Sequence, residues 1–422
     1  MEEWKEYKIE ETSIEMIDGD RGKNYPKNND FFTEGYCLFL NAGNVTKNGF
    51  SFSEKSFITR EKDDALRKGR LERNDVIITT RGTIGNVALY DINIPFEHIR
   101  INSGMLILKS GKDILPEYLY YFLKGNTFQT QISQYVSGSA QPQLPKGTLA
   151  KMSISYPNNK DTQKRIIAIL KSLDDKIEVN RRINEILEQQ AQALFKSWFV
   201  DFEPFKDGEF EESDLGMIPK GWKVGGLGEI CTQSSLKVGN RNDVRVLSPV
   251  TTGKLMLSEE YFTKQVYSES IAKYKVVNKG AFAYNPARVN IGSLGRNEYD
   301  FEGAVSPVYV VFECKKGYSN FFDLFRTTEK FKTEVLLRAI GGVRQSLNFV
   351  DFAMIQTIIA PQNVVDVFNQ MFERIKTMQK HLETENESLA NLRDTLLPKL
   401  MSGEIKVLHT DLINEMLEKG IR

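Results

Sequence analysis

Residues 71–85 read LERNDVIITTRGTIG, and residues 276–292 read VVNKGAFAYNPARVNIG. Each stretch has a turn, then a run of strand-forming residues, then an arginine and a short loop that closes on Ile-Gly. The two arginines, Arg81 and Arg288, lie 207 residues apart in a chain of 422 residues. A match at about half the chain length indicates an internal repeat, which decides the architecture before any other motif is considered.

A second pair of matched stretches supports the repeat. Residues 138–144 read GSAQPQL and residues 341–347 read GGVRQSL, 203 residues further on. Each leads into a β-rich run that ends at a proline, Pro157 or Pro361. Because the two matches occur in the same order and at nearly the same separation, the sequence predicts a tandem duplication.

A long segment of helical periodicity follows each proline. In both segments apolar residues recur with alternating steps of three and four, which is typical of the a and d positions of a coiled coil. The first seam comprises Ile166, Leu170, Leu173, Ile177, Leu187, Ala191, Leu194 and Trp198, and the second Phe368, Met371, Ile375, Met378, Leu382, Leu389, Leu392, Leu396 and Leu400. Two such helices at equivalent places in a repeat are expected to bury their seams against each other, in an antiparallel pair.

Polar residues interrupt both seams near their middles. Asn180 and Asn184 occupy seam positions in the first helix, and Glu385 and Asn386 lie near the middle of the second. Antiparallel packing would bring them together as a polar layer that specifies register at a cost in stability. The alternative is that these side chains simply face water.

The expected fold class is α+β, as a pseudo-twofold tandem repeat with two globular domains separated by two long antiparallel coiled-coil helices. The predicted boundaries are 1–157 for the first globular domain, 158–202 for the first helix and 203–216 for an acidic linker. The second globular domain is expected over 217–361, the second helix over 362–402 and a C-terminal tail over 403–422.

Composition limits the class of protein. The net charge is +0, with 56 Lys+Arg against 56 Asp+Glu, but residues 217–361 carry 19 basic against 13 acidic side chains. The three cysteines and three histidines are widely separated, so neither a disulfide framework nor a zinc site is expected. The charged N-terminus and the absence of a long apolar run predict a soluble, cytoplasmic protein.

Signatures of catalysis are missing from the sequence. Thr252-Gly253-Lys254 lacks the other residues of a phosphate-binding loop, and Asn285-Pro286-Ala287-Arg288 has only half of the motif of adenine methyltransferases. No grouping of a nucleophile with a histidine is suggested either. We therefore expect a protein that is not an enzyme and has neither catalytic nor metal-binding residues.

The ends of the two helices carry a resemblance to a known family. ALFKSWFVDFEPF at residues 193–205 follows the helical segment 162–190, and LRDTLLPKLMSGEI stands at residues 392–405. These stretches resemble the two conserved regions of the specificity subunits of Type I restriction-modification systems. The resemblance covers the whole chain, because that family also alternates target-recognition domains with conserved helices.

The resemblance implies a non-catalytic subunit that reads a bipartite sequence in double-stranded DNA, with one half-site for each target-recognition domain. The paired helices would act as a spacer and as the docking place for methyltransferase subunits, expected in two copies, and for restriction and translocase subunits in up to two copies. It also implies that S-adenosylmethionine and ATP with Mg²⁺ bind to those partners and that this chain holds no cofactor.

DNA contacts are expected from donor side chains on glycine-containing turns, because glycine lets the backbone approach closely. Arginine suits guanine, and Gln or Asn suits adenine. The alternative is that the loops are structural turns and the arginines touch only phosphate. The candidate contacts are Arg81, Thr83, Ser139, Gln141, Gln143, Arg288, Asn290, Arg344 and Gln345, with Lys273, Lys275, Lys279 and Arg296 as part of the densest basic stretch.

Five aromatic residues at the end of the first helix have two interpretations. Helical spacing predicts partial burial against the second helix, and the number of rings also suits a partner-binding patch. The five are Phe195, Trp198, Phe199, Phe202 and Phe205. Two other functions stay open from the sequence: a coiled-coil scaffold or adaptor that binds protein, and a methyltransferase with divergent motifs.

Overall fold

The structure is a computed structural model, and it describes residues 4–136, 142–241, 243–262, 267–339 and 346–407. The chain divides into two compact units. Unit 1 comprises Met1–Asn180 with Glu383–Arg422, and unit 2 comprises Arg181–Leu382. The two long helices are therefore shared, because each contributes one half to each unit.

Unit 1 begins with eleven strands and four short helices. The strands are β1 Trp4–Lys8, β2 Glu15–Asp18, β3 Cys37–Phe39, β4 Val45–Thr46, β5 Gly49–Phe50, β6 Phe57–Ile58, β7 Val76–Thr79, β8 Val87–Leu89, β9 Ile99–Arg100, β10 Met105–Lys109 and β11 Ser153–Pro157. The helices are α1 Arg60–Ala65, α2 Pro116–Lys124, α3 Asn126–Val136 and α4 Lys146–Ala150, and the long helix α5 covers Lys160–Phe199. Short 3-10 helices cover Ile9–Glu11, Asn28–Asp30 and Ala42–Asn44.

Unit 2 repeats most of this order. Its strands are β12 Phe210–Ser213, β13 Gly216–Pro219, β14 Lys223–Gly226, β15 Cys231–Ser234, β16 Arg245–Pro249, β17 Leu255–Leu257, β18 Lys275–Val277, β19 Phe282–Tyr284, β20 Leu294–Arg296, β21 Gly303–Val305, β22 Val310–Cys314 and β23 Gln356–Ile359. Its helices are α6 Ser258–Tyr261, α7 Tyr318–Phe325, α8 Glu329–Arg338 and α9 Phe349–Ala353, and the long helix α10 covers Gln362–Met401. Short 3-10 helices cover Glu203–Phe205, Leu227–Glu229 and Val289–Ile291.

The sheet topology confirms the predicted repeat. Unit 1 contains a four-stranded sheet in the order β2-β10-β7-β8, and unit 2 contains one in the order β15-β22-β19-β20. In both units one strand pairs antiparallel with a later strand and parallel with a still later one, as β3 does with β6 and β9, and β16 with β17 and β21. The two matched sequence stretches thus form equivalent strands, and the α+β class with a tandem repeat is correct.

The long helices pack antiparallel within each unit. In unit 1, Arg393 bonds Asp174 at 2.6 Å and the Asn180 amide donates to Glu385 at 2.7 Å, so a later residue of α5 meets an earlier residue of α10. In unit 2, the Gln379 amide donates to Glu188 at 3.5 Å and the rings of Trp198 and Phe368 lie 5.9 Å apart, so the order is again reversed. The coiled-coil prediction is confirmed in both halves.

The predicted polar layer is present in unit 1. Asn180 is fully buried, and its amide also donates to the Asn386 side chain at 3.0 Å. The alternative, in which Asn180 faces water, is therefore wrong. Its neighbour Asn184 is only half-buried.

The seam of α10 differs from the predicted one. Met371, Met378 and Leu392 are 42%, 50% and 48% exposed, whereas Phe372 is buried. At the other two positions the more buried neighbours are the polar Gln379 and Arg393, so apolar spacing alone favours the residues that in fact face outward. The prediction that Met371, Met378 and Leu392 belong to the buried seam is therefore wrong.

The segment 203–216, predicted as an acidic linker, is partly ordered structure. Strand β12 pairs antiparallel with β13 in a hairpin. The ring of Phe205 lies 5.0 Å from that of Trp222, and the ring of Phe210 lies 6.1 Å from that of Phe202. These aromatic contacts anchor the segment to unit 2, while its acidic side chains remain exposed.

A buried ion pair stabilises unit 1. The carboxylate of Asp63 is fully buried and pairs with Arg100, which is 4% exposed, and with the partly exposed Arg70. Arg100 also donates to the carbonyls of Lys68 at 2.6 Å and Leu66 at 3.2 Å. Every polar atom of the guanidinium that points inward is thereby satisfied, as a buried charge requires.

Two cysteines that are distant in sequence become neighbours in unit 2. Cys231 and Cys314 face each other across β15 and β22, with their Sγ atoms 3.5 Å apart. Both are free thiols, as is the buried Cys37. Burial raises the pKa of the Cys37 thiol to about 11, so this cysteine is protonated at neutral pH.

The stability of unit 1 is expected to depend on pH through Asp75. This carboxyl is 3% exposed and accepts a hydrogen bond from the Glu72 amide at 2.8 Å, and burial raises its pKa from 3.8 to about 6. The folded state therefore holds the proton more tightly, and ionising the group costs stability as pH rises from about 4 to about 6.

Asp75→Asn should remove that cost, because the amide keeps an acceptor and carries no charge. We expect the variant to be about 2–3 kcal/mol more stable than the unmodified chain at pH 8 and about equal to it at pH 4. Urea unfolding at both pH values measures the difference. A gain of the same size at pH 4 and pH 8 would contradict a role for ionisation.

Candidate nucleic-acid interface

The first candidate loop connects β7 to β8 in unit 1. Gly82 and Gly85 have φ angles of +73° and +88°, which β-branched residues rarely adopt. The Gly85 amide donates to the Thr79 carbonyl at 3.0 Å, and a Cβ on Gly85 would lie 2.8 Å from the Gln129 side chain. The Ile-Gly ending noticed in the sequence is thus a requirement of the turn.

Arg81 is held out into solvent by this loop. The amides of Thr80 and Arg81 both donate to the Gly104 carbonyl, at 2.7 and 3.2 Å. The Arg81 side chain is exposed and makes no ion pair with any residue that the structure describes. A fixed backbone that carries an unpaired guanidinium is suited to binding an anionic or hydrogen-bonding ligand.

The second matched stretch joins the loop. The Leu144 amide donates to the Thr80 carbonyl at 3.0 Å, which places Gln143 next to the loop that carries Arg81 and Thr83. Gln143 and Thr83 are exposed, and the Thr83 hydroxyl donates to the Ala42 carbonyl at 3.3 Å. Ser139 and Gln141, which were also predicted to contact DNA, lie outside the described residues.

Unit 2 repeats the arrangement between β19 and β20. The Leu347 amide donates to the Pro286 carbonyl at 3.1 Å, just as Leu144 bonds to Thr80 in unit 1. Gly292 has a φ of +91°, and a Cβ there would lie 2.6 Å from the Thr251 carbonyl oxygen. The structure therefore brings together the described parts of the two matched stretches in each unit. We call this surface the loop edge, and it comprises residues 80–85 with 142–144 in unit 1 and residues 286–292 with 346–347 in unit 2.

Arg288 and Asn290 are the exposed donors of this second loop. The guanidinium of Arg288 makes no ion pair within the described ranges, like that of Arg81. Arg344 and Gln345 of the second stretch, which were also predicted to contact DNA, lie outside the residues that the structure describes.

The predicted basic stretch of unit 2 does not form one free cationic surface. The Lys275 ammonium donates to the Tyr309 carbonyl at 2.6 Å, and that of Lys279 pairs with Asp300 at 2.5 Å. Burial lowers the pKa of Lys275. Arg296 donates to the Asn320 side chain at 2.8 Å. These three cations are engaged within the chain, which sequence could not show because their partners are distant.

Lys273 differs from its neighbours, because its side chain is exposed and makes no ion pair in the part of the chain that the structure describes. Lys273→Ala should weaken binding to any duplex and lower the salt dependence of log K by up to about 0.9 if a phosphate contact is lost. Lys279→Ala is the matched control, with a smaller expected change because Asp300 already neutralises that ammonium. Binding to an unrelated duplex at several salt concentrations measures both, and equal changes would refute the distinction.

The aromatic group at the end of α5 belongs mainly to the core of unit 2. Phe195, Phe199 and Phe202 are buried, and the Phe199 ring lies 4.8 Å from that of Phe368. Trp198 and Phe205 are half-buried against the same core. Contact of the three buried rings with another subunit would require unpacking this core, so a partner surface here is limited to Trp198 and Phe205.

Residues that the sequence analysis missed complete the loop edge. In unit 1 the Arg21 guanidinium donates to the Ser103 carbonyl at 3.1 Å, next to the Gly104 carbonyl that holds the loop. In unit 2 the equivalent turn carries Val308, which is 71% exposed. These residues flank the central strand β10 or β22, and only the strand pairing identifies them, because the short matched stretches do not extend so far.

Among the described residues, no three His, Cys, Asp or Glu side chains form a group that could hold a metal ion. None of the helices that the structure describes is both long and apolar enough to span a membrane.

Comparisons with known proteins find similarity to one family. Residues 1–189 match the Type I restriction modification DNA specificity domain. The Type I restriction enzyme MjaIX specificity subunit of Methanocaldococcus jannaschii is 28% identical over 351 residues, which cover 79% of this chain and 78% of that protein. The HindI specificity subunit of Haemophilus influenzae is 24% identical over 478 residues, which cover 96% and 100%.

A solved structure shares the fold. The crystal structure of the S subunit of a Type I restriction-modification system from M. genitalium superposes with a TM-score of 0.53 at 16% identity, over 94% of this chain and 96% of that one. The resemblance seen at the helix ends is confirmed by the sequence relatives: residues 1–189 match the Type I restriction modification DNA specificity domain, and the chain is similar to Type I specificity subunits along most of its length.

Proposed function

We propose that this chain is the non-catalytic subunit that gives a Type I restriction-modification complex its DNA specificity, and that each unit reads one half-site of a bipartite target. The observation that carries the proposal is the loop edge, which occurs once in each unit. In both, a backbone hydrogen bond joins the two matched stretches and an exposed arginine has no ion pair among the described residues.

The chemistry of the loop edge suits base readout. An arginine can donate two hydrogen bonds to the O6 and N7 atoms of guanine, and a Gln or Asn amide can pair with adenine. Arg81 with Gln143 in unit 1, and Arg288 with Asn290 in unit 2, supply these groups from rigid turns. Thr83 is assigned to the same surface, as are Ser139, Gln141, Arg344 and Gln345, whose assignment rests on the sequence match alone.

The partners proposed for this chain are methyltransferase subunits, in two copies, and restriction and translocase subunits in up to two copies. S-adenosylmethionine and ATP with Mg²⁺ would be bound by those partners. Support for a docking surface on the helices comes from apolar side chains that face outward: Met371 and Met378 of α10 are half exposed, seven residues apart, in unit 2. Apolar side chains on the outer face of a helix mark a surface that another protein can cover.

The test is a binding selection with the purified full chain and a duplex library that is randomised over about 25 base pairs. The proposal predicts two enriched blocks, separated by base pairs that show no preference. The same preparation should transfer no methyl group from S-adenosylmethionine to DNA until a methyltransferase partner is added.

Two results would overturn the proposal. Methyl transfer by the chain alone would assign it an active site, as in a divergent methyltransferase. A library that stays random after selection, with both arginine loops intact, would favour the protein-binding scaffold as the function.

A further inference from the structure

A third segment of chain lies against the arginine loop of each unit, the loop that carries Arg81 or Arg288. In each unit it joins two antiparallel strands, β3 to β6 in unit 1 and β16 to β17 in unit 2. It covers residues 40–56 in unit 1 and residues 250–254 in unit 2, and we call it the connecting segment. The two connecting segments differ in length and sequence, so only the strand pairing relates them.

In unit 1, side chains of the arginine loop and of the residue that follows it hold the connecting segment. The Thr83 hydroxyl donates to the Ala42 carbonyl at 3.3 Å. The side-chain amide of Asn86, just after the loop, donates to the Val45 carbonyl at 2.9 Å. The connecting segment therefore adjoins the loop edge.

The same contact occurs in unit 2 with different residues. Ser293 follows the Ile-Gly ending of the loop, as Asn86 does in unit 1, and its hydroxyl donates to the Pro249 carbonyl at 2.7 Å. A Cβ on Gly292 would lie 2.6 Å from the Thr251 carbonyl oxygen. The connecting segment is thus in contact with the end of the arginine loop in both units.

In unit 1 the connecting segment presents a lysine in the turn of the β4–β5 hairpin. The Thr46 hydroxyl donates to the Gly49 carbonyl at 3.0 Å and accepts from the Asn48 amide at 3.1 Å, which fixes the turn. Lys47 lies in this turn and is exposed, and the ion pairs among the described residues do not include its ammonium.

In unit 2 the connecting segment is a tight turn that also ends on a lysine. The Gly253 amide donates to the Val250 carbonyl at 3.0 Å, and the Val250 amide donates to the Lys254 carbonyl at 2.9 Å. The backbone of Lys254 packs on β20, the strand that leaves the arginine loop, because a Cβ on Gly295 would lie 2.4 Å from its carbonyl carbon. Its side chain is exposed, and no residue in the described part of the chain pairs with its ammonium.

Local charge favours an anionic ligand at both connecting segments. Residues 40–56 contain two lysines against the single acid Glu54, and residues 250–254 contain Lys254 and no acid. Lysine carries a compact charge on a flexible stem, which suits a phosphate, whereas arginine has the planar fork that suits a base edge. The major groove is about 12 Å wide and has phosphates along both sides, so a segment that flanks a base-contacting loop faces the DNA backbone.

We propose that Lys47 and Lys254 each bind a phosphate of the DNA backbone beside the base pair that the arginine of the same unit contacts. This inference rests on the proposed function and adds a backbone contact to each half-site. Such contacts fix the position of a protein on the duplex without distinguishing bases. The lysines would therefore set the position from which Arg81 and Arg288 reach the bases.

The test uses the full chain and the duplex that the binding selection yields. Each phosphate is replaced singly by an uncharged methylphosphonate, which keeps the base sequence. Arg81→Ala and Arg288→Ala identify the half-site of each unit. We expect Lys47→Ala to abolish the loss of affinity at one methylphosphonate position beside the half-site of unit 1 and to leave the positions at the other half-site unchanged. Lys254→Ala should give the converse result.

Salt dependence gives a second measurement. Between about 50 and about 200 mM salt, each variant should lose up to about 3.5-fold less affinity than the unmodified chain, which corresponds to a decrease of about 0.9 in the salt slope.

Lys112→Ala and Lys316→Ala are the matched controls, because both lysines are exposed and follow the ends of β10 and β22 that lie away from the loop edge. Neither control should abolish the effect of any methylphosphonate position.

The outcomes separate this inference from the proposed function. If the chain selects a bipartite sequence but every methylphosphonate effect persists in both lysine variants, the proposed function stands and the phosphate contacts are refuted. Equal changes in the control variants, or an altered base preference in the lysine variants, refute them as well. If the library yields no preferred sequence, the proposed function fails, and this inference fails with it.

Discussion

Arg288→Ala is expected to lower the affinity of the chain for its preferred duplex by about 5- to 150-fold, which corresponds to about 1–3 kcal/mol for the loss of a bidentate contact to a base. The effect should be confined to one base pair in the half-site of unit 2, where the preference is relaxed. Binding selection with the variant measures this directly. The bases in the half-site of unit 1 should remain as they are in the unmodified chain.

Arg81→Ala is the matched experiment in unit 1, since Arg81 occupies the equivalent loop and is exposed in the same way. It should relax one base pair in the other half-site. A uniform loss of affinity for cognate and unrelated duplexes would instead show that these arginines touch phosphate, which is the alternative that the sequence left open.

The largest effect on stability is expected from Arg100→Met in unit 1. The substitution keeps most of the side-chain volume and leaves the buried carboxylate of Asp63 with only the partly exposed Arg70 as a cation. Removing one partner of a buried pair costs about 3–5 kcal/mol, because the other charge remains desolvated. Urea unfolding, monitored through hydrogen exchange of the amides in β7 and β10, would measure the loss in the free energy of unfolding of unit 1.

Asp63→Asn with Arg100→Met is the control, because it removes the carboxylate charge together with its main partner. The double variant should recover a large part of the stability lost in Arg100→Met. A single variant that loses less than about 1 kcal/mol would show that water or Arg70 compensates Asp63 fully.

The sequence was sufficient to predict the repeat, because its signal is local. The Ile-Gly ending at Gly85 and Gly292 reflects a turn that needs a positive φ angle. Glycine adopts this angle most readily, so the requirement is visible in the sequence. The matched stretches then predicted that Gln143 would accompany Arg81, and the bond from Leu144 to Thr80 places it there.

Long-range partners could not be predicted in this way. Lys279 and Arg296 were assigned to a DNA-binding stretch because they are basic and close in sequence, but Asp300 and Asn320 occupy their side chains. The α10 seam failed for a similar reason, since Met378 fits the apolar spacing but faces outward, whereas the polar Gln379 beside it is half-buried, and only tertiary packing shows this.

Val308 was missed because a single exposed valine is ordinary on a protein surface. Only the pairing of β19 with β22 places the turn that carries Val308 near the arginine loop. Strand register is specified by the whole sheet, and a sequence window does not reveal it.

The central claim is that two units of one chain read two separate half-sites. Mapping of adenine methylation in the DNA of cells that carry this chain with a methyltransferase partner tests it most directly. The account predicts one methylated motif made of two short specified blocks around unspecified base pairs, and Arg288→Ala should relax only one of those blocks. A single continuous motif, or relaxation of both blocks by that one substitution, would contradict it.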